Sequence, residues 1–222
     1  MKKIIASLGA AAAVALPVLS DPLKDNQFNT MHSMGCMLLR ECKDGVHKIE
    51  SIASIASEYP NIDYSIVADE FHTMLLALEQ VGVGVFLADS KYFPVGHRGV
   101  YHTVSNNFFL NKEHMGSTAY LMQVMRHEGW HAAQDCMAGT IENSLIAIIK
   151  PEDEVPMIWR VMAERTYPES AVPWEAEAGW AGRTEKMTME ALQSCARGTM
   201  WTDYEPTPMT REWLVENGYL TK

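Results

Sequence analysis

Residues 127–131 read His-Glu-Gly-Trp-His, and no histidine follows them in the 222-residue chain. Four residues make slightly more than one helical turn, so His127 and His131 leave one face of a helix about 6 Å apart along its axis. That spacing lets two ring nitrogens reach one Zn²⁺ at about 2.1 Å each. Glu128 lies roughly 100° round the helix, where it can touch a water beside the ion without being a ligand. Two ligands and a general base are the minimum for metal-assisted hydrolysis. The pattern constrains the whole fold: a catalytic zinc site usually has three protein ligands, and a downstream third ligand here has to be a carboxylate carried in by another element.

The flanking residues support a helix. Ser117 is a plausible N-cap and Gly139 a plausible stop. Between them Leu121, Val124, Met125, Ala132 and Cys136 recur at three- and four-residue steps, as a core-facing stripe should. Gly129 weakens the helix by about 1 kcal/mol relative to alanine without breaking it.

The best source of a carboxylate is Pro173-Trp174-Glu175-Ala176-Glu177-Ala178-Gly179-Trp180-Ala181. Pro173 favours a helix start, and alanines dominate the residues after it. Glu175 and Glu177 stand about 200° apart on a helix, so only one of them can face the ion. The spacing by itself leaves both open.

An H-E-x-x-H helix followed by a helix carrying Glu-Ala resembles the zincin metallopeptidases of the gluzincin type, over roughly residues 99–185. The metzincin subclass is excluded, since Gln134 and Met137 stand where it needs glycine and a third histidine. The resemblance implies an α+β, mostly helical, zincin-like fold: a small sheet, an active-site helix and a third-ligand helix. It implies zinc held by His127, His131 and Glu177, whose small neighbours Ala178 and Ala181 suit close helix packing, with Glu175 as the alternative ligand and Glu128 as base. A tyrosine opposite the metal would donate to the oxyanion, and Tyr167, in the connector before the ligand helix, is the candidate. Many gluzincins also place an aspartate four residues after the ligand to orient a zinc-bound imidazole. Here Ala181 occupies that position, so the orienting group must come from elsewhere.

Residues 1–20 read as a secretory signal: Met1-Lys2-Lys3 is a short basic start, and Ile4 to Val18 is an apolar run interrupted by Pro17. The run is short for a bilayer span of about 20 residues, although an uncleaved tether is the alternative. Residues 21–222 then form a single zincin-like metallohydrolase domain, large enough for one core. A net charge of −10 with no basic run argues against nucleic acid as a partner. The expected partner is a peptide or protein substrate, met in a secreted or periplasmic setting.

Cysteines 36, 42, 136 and 195 suit that setting. Four cysteines allow three connectivities. A Cys136–Cys195 bridge would tie the metal-binding helix to the segment after the ligand helix, leaving Cys36 and Cys42 to pair outside a regular helix. Metal binding by cysteine is disfavoured, because no C-x-x-C spacing occurs.

Elsewhere the pattern predicts helix over 21–62, helix over 65–81 with His72 as a packing residue, a strand over 82–88, a turn at 96–99 and a second strand over 100–110. In zincins an edge strand just before the active-site helix holds extended substrate, and this order matches. Residues 141–149 are apolar, Glu152-Asp153-Glu154 read as a solvated turn rather than a calcium site, and further helices are expected over 156–165 and 188–196. The expected activity is zinc-dependent peptide-bond hydrolysis. The alternatives are a zinc hydrolase of a non-peptide or cell-wall amide, and a non-catalytic zincin-like secreted binding protein.

Overall fold

The computed structural model describes residues 34–42, 44–139, 145–204, 215, 216 and 218; the signal segment expected at 1–20 lies outside them. Four short strands form one mixed sheet: β1 (Val46–Lys48), β2 (Gly84–Ala88), β3 (Gly99–His102) and β4 (Asn107–Asn111), in the order β1-β2-β4-β3. β2 and β4 run parallel, with Gly84 opposite Asn107, while β1 and β3 flank them antiparallel. The larger helices are α1 (Ala68–Gln80), α2 (Thr118–Met137), α3 (Met157–Thr166), α4 (Val172–Arg183) and α5 (Met187–Arg197). The chain is therefore mixed α/β and mostly helical, with a small sheet.

Alternation along the strands sets the layers. Val85, Leu87, Phe108 and Leu110 point into the main core with the helices, whereas Phe86, Ala88 and Phe109 point into a smaller cluster closed by Met34, Met37 and Phe93. Phe86 and Phe109 stack there with centroids 5.4 Å apart. Phe71, Phe108 and Trp130 are completely buried, and burial of such a side chain contributes about 2–3 kcal/mol.

α2 is the central element. Apart from a half-buried Cys136, every residue from Glu128 to Met137 is buried, so the sequence stripe underestimates how many neighbours surround it. Ser117 stands at the N-cap in an extended conformation, but its side chain makes no cap hydrogen bond. Gly139 ends the helix at φ 122°, as expected of a glycine stop. Gly129 has a packing reason. A Cβ there would lie 3.0 Å from the Thr188 methyl of α5, so α5 crosses α2 at close range.

Some expectations are corrected. Residues 46–48 are a strand and 53–56 a single helical turn, so no continuous helix fills the described part of 21–62. Residues 100–110 are two strands joined by a polar turn, in which Asn106 takes a left-handed φ of 51° that asparagine tolerates. His72 is exposed, with no packing role. Both disulfides form: Cys36–Cys42 bends the chain back after a short helical turn, and Cys136–Cys195 joins α2 to α5. Paired cysteines fit an oxidising, extracellular setting. Among the described residues no helix is long and apolar enough to cross a membrane.

Candidate metal centre

His127 and His131 project from α2 as the four-residue spacing requires, their rings 4.9 Å apart and nearly perpendicular. The carboxylate that meets them is Glu175, from the first turn of α4. Its Oε2 lies 3.4 Å from Nε2 of His127 and 3.7 Å from Nε2 of His131. Ligands held about 2.1 Å from a tetrahedral ion stand about 3.4 Å from one another, so both carboxylate–imidazole distances lie close to the edge length of a zinc site, and the three ligand atoms all fall within 4.8 Å of one another. Oε2 of Glu175 is buried and has no hydrogen-bond partner. A buried carboxylate oxygen left bare between two imidazole nitrogens is costly unless a cation completes it. These residues therefore fit a metal ion.

The preference for Glu177 is overturned by its surroundings. Its carboxylate turns away from the two histidines and accepts hydrogen bonds from the Ile149 and Lys150 backbone N–H groups (3.0 and 2.6 Å), Gln134 Nε2 (2.7 Å) and Trp130 Nε1 (3.1 Å). The small residues do mark the contact between the helices. α2 and α4 run antiparallel, with Gly182 placed so that a Cβ would sit 3.3 Å from the His127 Cβ, and Trp174 beside Gln134. Glu175, one turn before Ala178 and two before Gly182, continues the face turned toward the metal-binding residues, whereas Glu177 is rotated off it.

The other side chains converge on the same cleft, lined also by Gly99, Tyr101, Tyr167 and Trp174. Glu128 is buried there, and that burial pushes its pKa up; the His127 and His131 charges pull it back. Glu175 behaves oppositely: burial would raise its pKa, but the imidazoles of His131 and His127 hold it well below the usual carboxylate range. Tyr167 reaches the cleft from the end of α3. Burial, then the charges of Glu175 and Glu128, push its pKa up, so it stays a protonated donor.

β3 is the edge strand beside this cleft. The Asn111 N–H donates to the Arg98 carbonyl at 2.9 Å. By antiparallel alternation residues 98, 100 and 102 bond β4, and the backbone groups of Gly99 and Tyr101 face away from it. Gly99 permits this approach, since a Cβ there would come within 2.6 Å of Val124 and 2.9 Å of the Glu128 side chain.

Three residues with roles here escape the motif: Gln134, which bonds His131; Gly99; and Asp135, bonded to Tyr101. The available signal was polarity, as Gln134 and Asp135 interrupt the apolar second half of α2. Compared with protein-family models, curated proteins and solved structures, the chain matches none of them.

Proposed function

We propose that this protein is an exported zinc-dependent metallopeptidase of gluzincin type, with His127, His131 and Glu175 holding the ion. The observation that carries the reading is the bare, buried Oε2 of Glu175 set between two Nε2 atoms, beside an unliganded Glu128. A purely structural site has no use for a base next to its ligands.

When bound, zinc supplies Lewis acidity and draws the pKa of a water from about 16 toward about 7. Glu128 takes that water's proton during attack on the scissile carbonyl and returns it to the leaving amine, a role suited to a carboxylate whose pKa burial raises. The Tyr167 hydroxyl, which also lines the cleft, donates to the developing oxyanion. The outward backbone groups of Gly99 and the carbonyl of Tyr101 pair with an extended substrate added beside β3, which presents backbone rather than side-chain recognition.

The test is metal analysis of chain purified without chelators, joined to a panel of casein and oligopeptides. One equivalent of zinc and cleavage are expected, with Glu128→Gln keeping zinc and losing nearly all turnover. Chain that holds no zinc, or undiminished cleavage by Glu128→Gln, would end the reading.

A further inference from the structure

Gln134 connects the buried Glu177 to the metal-binding face. Its Nε2 donates to Oε2 of Glu177 at 2.7 Å and to the Trp174 carbonyl at 3.1 Å. Both partners are acceptors only, so the orientation of the amide is fixed by chemistry: nitrogen toward them, oxygen toward His131. Oε1 of Gln134 lies 2.8 Å from Nδ1 of His131. An amide oxygen cannot donate, so Nδ1 carries the proton, and Nε2, which faces Glu175, is the atom left to offer its lone pair to an ion.

Glu177 is anchored independently of Gln134. Its oxygens accept from the backbone N–H groups of Ile149 and Lys150, which cannot turn over, and from Trp130 Nε1. Each of these partners is a donor. The segment 145–150 is in turn held to α2 by the Ala147 N–H on the Gln134 carbonyl, 3.0 Å.

We infer that Glu177 and Gln134 are positioning residues that relay a fixed hydrogen-bond polarity to His131 and so hold its Nε2 free for the metal. The inference rests on the proposed metal reading, and it supplies the orienting group that Gly179, four residues after Glu175, cannot. An amide at 177 would reverse the chain. Its oxygen must face the backbone N–H groups, so its NH₂ meets Gln134. Gln134 meets that NH₂ by turning its own oxygen toward it, which sets that oxygen against the Trp174 carbonyl and presents its NH₂ to His131. The imidazole proton moves to Nε2, the atom the ion needs.

Zinc affinity is measured by chelator competition on the full chain for wild type, Glu177→Gln, Gln134→Met and the double variant. Each single change is expected to weaken zinc binding about 10- to 100-fold, the range for outer groups that orient a ligand. The double variant should be no weaker than the weaker single, because a relay broken once cannot be broken again. In zinc-loaded, ¹⁵N-labelled protein, the hydrogen-bonded Nδ1–H resonance of His131 should move in both singles, which a role confined to pinning residues 149–150 would not cause. Affinities within twofold of wild type, or fold-losses that multiply in the double variant, would overturn the relay. Should Glu177→Gln fail to fold by circular dichroism, Gln134→Met alone decides by the same two readouts. Wild type that binds no zinc instead sinks the metal reading; the relay is then judged by whether the His131 Nδ1–H resonance of the metal-free chain moves in Gln134→Met.

Discussion

The hydroxyl of Tyr101 donates to Oδ2 of Asp135 at 2.8 Å, a bond that fastens the edge strand to α2 one turn beyond His131. Asp135 is completely buried, its Oδ1 has no hydrogen-bond partner, and that burial raises its pKa to about 8. A carboxyl whose folded pKa exceeds its unfolded value of 3.8 binds an extra proton in the folded chain between those limits. Stability contributed by this group is therefore full below about pH 4 and lost as pH rises toward 8, at no more than about 1.4 kcal/mol per unit. Asp135→Asn keeps an acceptor for Tyr101 and removes the titration. Urea melts from pH 5 to 9 should show a flatter profile for the variant and higher stability than wild type at pH 8; parallel profiles would refute the assignment.

The two neighbouring glutamates on α4 should separate cleanly in metal content. Glu175→Ala removes a ligand and is expected to lower zinc affinity beyond the roughly 100-fold limit of outer-group changes. Glu177→Ala should stay within that limit, while lowering Tm because four N–H donors, three of them in buried bonds, lose their acceptor. Inductively coupled plasma analysis with thermal melts reads both, and the reverse order would restore Glu177 as the ligand.

Gly99 is the point at which the edge strand touches Glu128, the proposed base. A methyl group there meets Val124 and the Glu128 side chain at 2.6 and 2.9 Å. Gly99→Ala should therefore displace Glu128, lowering kcat while zinc content stays at one equivalent, with about 1–3 kcal/mol of overpacking cost. Unaltered kcat would show that the strand yields instead.

The two disulfides should differ in worth. Cys136–Cys195 closes 59 residues and Cys36–Cys42 only 6, so chain entropy assigns them about 4 and about 2 kcal/mol respectively. Replacing Cys136 and Cys195 by alanine should lower the urea midpoint more than replacing Cys36 and Cys42. It should also weaken zinc binding, because α5 packs directly against Gly129.

Local sequence was sufficient for whatever depends on spacing along one element. The steps from His127 to Glu128 and His131 dictate one helical face, a fixed geometry that packing cannot alter, and Pro173 with its alanines dictates a helix bearing a carboxylate. The pairing of Cys136 with Cys195 was also legible, from the position of each beside those helices. Only the tertiary structure chose between Glu175 and Glu177. That choice is the rotation of α4 about its own axis, set by Gly182 closing on His127 and by donors from Trp130, Gln134, Ile149 and Lys150, all distant in sequence from position 177. The same holds for the split of 100–110 into two strands and for Gly99 beneath the base: each is decided by what lies across the cleft, and periodicity within a segment carries no trace of it.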